Sequence, residues 1–516
     1  MKEIILFYPR PWPGEKMTGR LPYPLLLLSA YLQGEMDVRV RIIDERTEPD
    51  IKASLETISE HTILFGISSF TGVQVRYAIN IARELKLKFS SIPIVWGGWH
   101  PTSTVEQTLQ SPYADVVVRG QGEVTLKELV LALISDADFT KIEGISYKTD
   151  AGIFHNPDRK LEPVIENVKM PLHMLDINKY VYEKPFADQS DRSIGIITSL
   201  GCPNNCAFCE VASVYKRRIF FRNIDIILEE IDFLVNEYKV NSFTIDDDNF
   251  FVSRKRTLRF CTELLNKNYK ISWDAGVSVN ILLSKFDDKD LKLIKASGCT
   301  QIYIGAESGS DDILALLNKR AKVADTYLFV KKMKAVGIRA SISTMVGLPG
   351  VPETEIYATL DMIIKCREIN PDFDYRIFFY TPYPLTALYV QALRYGLQEP
   401  RSIEEWAEYS LRRFKAPWVK KNHRNLVKYF YFYYYPYSSQ LPRKITAKTW
   451  IGKILEWLDY MIFGNIILKK IATWRVNNRY FKFPIDAVFA IQGKRIESMY
   501  TKWVKKDINV FYEFDK

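Results

Sequence analysis

The residues best placed to do chemistry are three cysteines within eight positions, on the stretch Gly201-Cys202-Pro203-Asn204-Asn205-Cys206-Ala207-Phe208-Cys209. Thiolates are the usual ligands of iron–sulfur clusters, and three on one short loop can hold a [4Fe-4S] cluster with one iron left open. A structural zinc site wants four ligands, commonly as paired C-x2-C halves. Cys261, Cys299 and Cys366 are scattered singly, and no second Cys or His pair exists. The spacing therefore favours a cluster over zinc or unrelated buried thiols.

Such a loop needs a scaffold that delivers it. Residues 193–199 read as a strand running into the loop. Beyond it, helical patterns at 224–238, 254–267, 287–297, 323–336 and 353–369 alternate with strand-like runs at 242–245, 271–275, 301–304, 339–346 and 374–379. About six such β/α units predict an open parallel barrel, a partial (β/α)6 fold over 191–390, with its chemistry at the strand C-terminal ends. The polar residues expected there are Asp246, Asp247, Asp248 and Asn249, then Ser278 and Asn280, Glu307 and Ser308, and Gly347-Leu348-Pro349-Gly350. Asp247 or Asp248 has the alternative role of capping the helix after Asn249.

Residues 1–145 show the same alternation, with strand-like runs at 3–8, 38–43, 62–67, 92–96 and 114–118 and helical patterns at 25–33, 51–58, 73–89, 104–109 and 123–134. This predicts a doubly wound parallel sheet of Rossmann-like type, which binds ligands beyond its strand C-termini. The loops expected there are Pro9-Arg10-Pro11, Ser68-Ser69-Phe70-Thr71-Gly72, Gly97-Gly98-Trp99-His100-Pro101-Thr102 and Arg119-Gly120-Gln121-Gly122-Glu123. Their glycines and hydroxyls permit close backbone approach. No G-x-G-x-x-G opens the first helix, which counts against a dinucleotide site. His100 has the alternative role of a loop residue capping the next helix. Residues 146–190 read as a linker with a hairpin around Asp150-Ala151-Gly152, followed by Pro157, Pro163 and Pro171.

Taken together, the cysteine loop, Asp246-Asp247-Asp248-Asn249-Phe250, Gly298-Cys299, Gly305-Ala306-Glu307-Ser308-Gly309-Ser310 and Gly347-Leu348-Pro349-Gly350 resemble, in order and spacing, the radical S-adenosylmethionine (radical SAM) superfamily. With Gly97–Pro101 and Val117–Glu123 they resemble its cobalamin-dependent branch, over about residues 1–390. The resemblance implies a cobalamin-binding domain at 1–145 and a radical SAM barrel at 191–390. It implies that Cys202, Cys206 and Cys209 hold the cluster and that Phe208 packs near the adenine. Asp246, Asp247, Asp248, Ser278, Glu307 and Ser308 become candidate S-adenosylmethionine contacts. Pro9, Arg10, Ser68, Ser69, Phe70, Thr71, Gly97, Gly98, Trp99, His100, Gly120, Gly122 and Glu123 become candidate cobalamin contacts. The common Gly-Gly-Glu is replaced here by three aspartates, so the acting carboxylate stays open. None of His61, His100, His155, His173 and His423 has an Asp two positions before it, so the D-x-H-x-x-G source of an axial histidine is missing. The cobalamin is expected base-off, with Phe70 or Thr71 near its lower face.

The implied activity is reductive cleavage of S-adenosylmethionine to a 5′-deoxyadenosyl radical and methylation of an unactivated carbon through methylcobalamin. A non-methylating oxidation or cyclisation, as in anaerobic magnesium-protoporphyrin monomethyl ester cyclase, is the second reading, and an RNA-modifying enzyme the third. A flavodoxin or ferredoxin would supply electrons.

Of the net charge of +10, residues 401–516 carry 23 Lys and Arg against 10 Asp and Glu, and 26 of the aromatic residues, so the first 400 are slightly acidic. This 391–516 extension is expected to be helical and to act as a lid or substrate-facing element, suited to a small hydrophobic or aromatic substrate, with core packing as the plainer alternative. Trp406, Tyr409, Phe414 and Trp418 suggest a helix by their spacing, as does 450–468. A basic tail could also touch nucleic acid, which is the less favoured partner, or a membrane surface. No apolar run is long enough to span a bilayer, and few cysteines with no visible export signal lead us to expect a reducing, cytoplasmic setting.

Overall fold

The computed structural model describes residues 1–11, 19–33, 38–184, 191–410, 414–434, 438, 465–488 and 490–491. Two seven-stranded sheets organise them. The first contains β1 (Lys2–Tyr8), β2 (Val38–Asp44), β3 (Thr62–Ser68), β4 (Ile94–Gly97), β5 (Val116–Val118), β6 (Ile145–Thr149) and β7 (Gly152–His155), in the order β2-β1-β3-β4-β5-β6-β7. Strands β1 to β5 pair in parallel. The uninterrupted apolar run of β1 follows from burial on both faces: Ile5 and Phe7 enter one core, Ile4 and Leu6 the other.

The predicted hairpin is present, but it belongs to this sheet and not to a free linker. Strand β6 pairs antiparallel with β5, and β7 with β6. The expected helix at 104–109 is present as Val105–Gln110, and a short helix that the sequence did not announce, Trp99–Ser103, precedes it with the break at Thr104.

The second sheet is the expected six-stranded parallel half-barrel with one antiparallel edge. Its strands are β8 (Tyr182–Lys184), β9 (Asp191–Ile196), β12 (Ser242–Ile245), β13 (Ser272–Val277), β14 (Cys299–Glu307), β15 (Arg339–Val346) and β16 (Asp374–Phe379). The order is β16-β15-β14-β13-β12-β9-β8, with only β8 antiparallel. Between β9 and β12 lies a small antiparallel pair that the sequence did not announce, β10 (Ser199–Gly201) with β11 (Ile219–Phe221). It frames the cysteine loop, which leaves β10 at Gly201 and returns through the helix Glu210–Val214.

The spacing of Trp406, Tyr409, Phe414 and Trp418 does not make the expected helix. Among the described residues of this stretch only Glu405–Glu408 forms a 3-10 turn, and the rings touch in series, with centroids 4.9 Å apart for Trp406–Tyr409 and Tyr409–Phe414 and 6.5 Å for Phe414–Trp418. The segment crosses strand ends of both sheets. Trp406 lies against His100 after β4, and Trp418 Nε1 donates to Gly347 O after β15 at 2.8 Å. The aromatic run behaves differently. Phe430, Tyr433 and Tyr434 are buried, and Tyr375 of β16 packs on Phe430 and Tyr431. Helix Asn465–Asn477 docks beside them, with Tyr433 Oη donating to Leu468 O at 3.0 Å. This part of the extension is core packing on the barrel flank rather than a lid. Most of the expected 450–468 helix lies outside the described residues.

Candidate active site

The cysteine loop is strung between two later elements. Ala207 N donates to Leu317 O at 3.0 Å, and Ala207 O accepts from Leu388 N at 2.9 Å. Asn318 Nδ2 donates to Asn205 O at 2.7 Å. Phe208 packs into the apolar cluster of Leu317, Leu348 and Leu388. Cys202, Cys206 and Cys209 are partly exposed, whereas Cys261, Cys299 and Cys366 are buried. As free thiols, Cys206 is raised by burial and Cys209 is pushed by burial up to about 12. Without a bound metal these thiols stay protonated, and a metal ion is the kind of charge that makes such ligands thiolates. Among the described residues no three His, Cys, Asp or Glu side chains close around a single ion.

The three aspartates after β12 have three different surroundings. Asp247 is buried and accepts four hydrogen bonds: from Thr198 N and Thr198 Oγ1, both at 2.6 Å, from Ser199 Oγ at 2.6 Å and from Ser199 N at 3.0 Å. Its capacity is spent on fixing the β9–β10 turn. Asp246 pairs with Arg20 at 3.0 Å, and burial pushes it up to about 6. Asp248 accepts one bond, from Gly201 N at 2.9 Å, and burial pushes it too up to about 6. Asp248 is thus tied to the backbone next to Cys202 with acceptor capacity to spare.

Asn249 ties the loop to β13: its Nδ2 lies 3.6 Å from Cys202 Sγ and 3.1 Å from Ser278 Oγ, which also accepts from Asn204 Nδ2. Ser278, expected at this ring of strand ends, is therefore engaged by loop asparagines. At the end of β14, Glu307 takes φ 61°, uncommon for a non-glycine residue, and pairs with Lys319 at 2.9 Å. Ser308 is buried, and its Oγ accepts from Ser310 N at 3.2 Å.

The loops beyond the first sheet are stitched together. Ser69 N donates to Gly97 O, His100 N to Ser69 O and Gly120 N to Thr102 Oγ1, each at 3.1 Å. Gly98 has φ 93°, and a Cβ there would lie 2.9 Å from Ser69 O, so the close approach requires glycine. Gly120 faces open space. Ser69 Oγ and Glu123 Oε2 are buried without a partner, and Phe70 is 40% exposed. A group with hydrogen-bonding edges fits this cradle. Arg10 instead folds back: its N and Nη2 donate to the Glu45 carboxylate and carbonyl at 2.8 and 3.0 Å. Pro9 O accepts from Gln74 Nε2, and Phe70 N donates to Gln74 Oε1, both at 2.7 Å, so Gln74 ties two of the loops. His100 is not presented to a ligand. It is fully buried, Nδ1 and Nε2 lie 3.1 and 3.2 Å from Thr71 Oγ1 and Thr104 Oγ1, and burial lowers it to about 3. Nor does it cap the next helix by its side chain.

The two crevices meet. Trp99, after β4, lies edge-on to Tyr215, whose ring also touches Phe220 of β11. Glu210, beside Cys209, is pushed by burial up to about 8, and its Oε1 is buried without a partner among the described residues.

Residues 21–130 match the B12 binding domain and residues 196–363 the radical SAM superfamily. An uncharacterised methyltransferase of Pyrococcus horikoshii is 30% identical over 405 residues, 77% of this chain and 84% of that one. The chain belongs to the cobalamin-dependent radical SAM family. Within the family it is 26% identical to the bacteriochlorophyllide d C-12(1)-methyltransferase of Chlorobaculum tepidum (72% and 73% covered) and 26% identical to the anaerobic magnesium-protoporphyrin IX monomethyl ester cyclase of Rubrivivax gelatinosus (73% and 67% covered). The fold is also that of the cobalamin-dependent radical SAM enzyme OxsB with aqua-cobalamin bound, with TM-score 0.68, 16% identity and 98% and 75% coverage. The radical SAM methyltransferase TsrM from Kitasatospora setae, with cobalamin and [4Fe-4S] cluster bound, aligns with TM-score 0.60, 18% identity and 76% and 75% coverage.

Asn249, expected at the barrel mouth, is there, and its partners are Cys202 and Ser278. Sequence reasoning missed the contacts made by Lys319, Glu210, Tyr215 and Gln74. These are ordinary polar or aromatic residues whose significance lies in partners distant along the chain. Among the described residues no helix is long and apolar enough to cross a membrane.

Proposed function

We propose that this enzyme transfers a methyl group to an unactivated carbon of a small, hydrophobic or aromatic substrate, using a [4Fe-4S] cluster on Cys202, Cys206 and Cys209, S-adenosylmethionine and cobalamin. The observation that carries the reading is the meeting of the two strand-end crevices at Trp99–Tyr215, which sets the loop after β4 against the strand pair that launches the cysteine loop. Methyltransferases among the relatives favour methylation over cyclisation, and TsrM has been seen with a tryptophan substrate.

When bound, the cluster and S-adenosylmethionine supply one-electron cleavage of a carbon–sulfur bond, and cobalamin supplies methyl transfer. The chain's own residues position and shield. Asp248 and the Glu307–Lys319 pair flank the loop as candidate S-adenosylmethionine contacts, with Asp246 held by Arg20 and Asp247 structural. Residues 1–145 with the β6–β7 hairpin form the proposed cobalamin-binding unit, with Ser69, Phe70, Thr71, Trp99, Gly120 and Glu123 around the cradle and no histidine ligand. Residues 191–390 form the barrel, and a flavodoxin or ferredoxin is the proposed electron donor.

The test is anaerobic reconstitution with cluster and cobalamin, then turnover of S-adenosylmethionine with tryptophan and other small aromatic acceptors. Methylation yields S-adenosylhomocysteine together with 5′-deoxyadenosine and a methylated product. Turnover giving 5′-deoxyadenosine and an oxidised or cyclised product without S-adenosylhomocysteine overturns the methylation reading.

A further inference from the structure

The ion pair at the end of β14 is built with unusual care. Glu307 and Lys319 meet at 2.9 Å with side chains only 10% and 11% exposed. Glu307 accepts a left-handed backbone at φ 61°, which costs on the order of 1 kcal/mol or more in a non-glycine residue. Gly305 leaves the space the pair fills: a Cβ there would overlap Glu307 Oε1 and lie 2.8 Å from Lys319 Nζ. The turn carrying Lys319 is clamped to the cysteine loop by Ala207 N to Leu317 O and by Asn318 Nδ2 to Asn205 O. Lys319 Nζ stands 5.9 Å from the centroid of Phe208, which lies between Cys206 and Cys209 in sequence.

Burying a lysine disfavours its charge, and the Glu307 carboxylate at 2.9 Å offsets that cost. Lys319 Nζ is the end of the pair that reaches the ring of Phe208 on the cysteine loop. The pair therefore turns its positive end toward that loop.

We propose that Lys319 is a positioning residue for electron entry: its buried ammonium stabilises the added negative charge of the reduced cluster and so raises the cluster's reduction potential, while Glu307 holds the ammonium in place and moderates it. The step affected is uptake of one electron by the cluster, with no bond made or broken. Second-shell charge and burial are recognised levers on such potentials. The inference rests on the cluster reading of Cys202, Cys206 and Cys209.

The experiment is an electron-paramagnetic-resonance redox titration of the full-length, cluster-reconstituted protein with dithionite and mediators, without S-adenosylmethionine. Lys319→Met is expected to make reduction at least tenfold less favourable at a given potential, a shift of about 59 mV to more negative values for one electron. Lys319→Arg should restore most of the wild-type potential. Glu307→Gln should shift it the other way, because it leaves the cation and removes its counter-charge. A purely structural role would not produce opposite signs. Equal potentials in wild type and Lys319→Met at full iron and sulfide content overturn the proposal, as do shifts of the same sign in both variants. Should Lys319→Met not hold a cluster, the Glu307→Gln sign decides alone, and the absence of a positive shift overturns it. A wild-type protein that takes up no cluster would instead refute the underlying cluster reading.

Discussion

Trp99 of the first domain meets Tyr215 of the barrel edge-on, with ring centroids 5.9 Å apart and planes at 62°. Tyr215 in turn leans on Phe220, and its Cβ and Cγ lie 3.1 Å from where a side chain on Gly201 would begin. One aromatic contact thus joins the loop after β4 to the strand pair that launches Cys202. Edge-to-face pairs contribute roughly 0.5–1.5 kcal/mol beyond area burial. A double-mutant cycle on Trp99→Ala and Tyr215→Ala should return a coupling energy of about 1 kcal/mol in urea unfolding of the apo protein. Additive effects would mean that the two domains are held together elsewhere.

The three aspartates should separate cleanly. Asp247→Asn leaves one oxygen to replace two and turns an amide toward donors, so it should destabilise the fold by roughly 2–4 kcal/mol, given about 1.5–3 kcal/mol for each hydrogen bond to a charged group and partial rearrangement. Asp248→Asn loses one bond from Gly201 N and should change stability by about 1 kcal/mol or less. Its effect should appear as weaker S-adenosylmethionine binding to the reconstituted protein, read by calorimetry. Equal binding by wild type and Asp248→Asn would move the role to Asp246.

His100 makes a pH-dependent stability term. Burial lowers it to about 3 from an ordinary 6.5, so the folded protein keeps it neutral while the unfolded chain takes a proton below 6.5. The unfolded state binds more protons in that window, and stability falls as pH falls from 6.5 toward 3. Each pH unit well below 6.5 corresponds to about 1.4 kcal/mol, so this residue should remove roughly 2 kcal/mol between pH 7 and pH 5. His100→Asn, which retains a donor and an acceptor for Thr71 and Thr104, should flatten the wild-type profile by that amount in urea titrations at the two pH values. Parallel profiles would show that His100 titrates normally.

The legible parts of the molecule were those with local signatures. Buried parallel strands read as apolar runs because both faces are covered, as in β1, and the β/α alternation announces two parallel sheets, though not their strand orders. The cysteine spacing needs only neighbours in sequence. What stayed hidden depends on distant pairings. The three consecutive aspartates look equivalent until Thr198 and Ser199 fold over Asp247 and Arg20 reaches Asp246. Lys319 carries no signal of its own, since its meaning comes from Glu307 and from the loop about 110 residues earlier. The ring spacing at 406–418 imitates a helix because an irregular chain can also bring every third to fifth ring into contact.

That irregular segment is where inter-domain stability should be concentrated. Trp406 is almost fully buried, packs on His100, Tyr389 and Tyr409, and donates from Nε1 to Gln107 Oε1 at 2.6 Å. Beside it, Arg76 pairs with Glu408 at an exposed position. Truncating a buried tryptophan leaves a cavity and takes the donor from Gln107 Oε1, and Trp406→Ala should cost about 3–5 kcal/mol. The neighbouring ion pair is screened by solvent, so Arg76→Ala should cost no more than about 1 kcal/mol. Trp406 also bridges the helix Val73–Lys88 side of the first domain to the barrel cluster of Leu348 and Leu388. Trp406→Ala should therefore speed proteolytic cleavage within 397–419 under native conditions, where Arg76→Ala should not. Similar cleavage rates and similar unfolding midpoints for the two variants would show that the segment lies on the surface without holding the domains together.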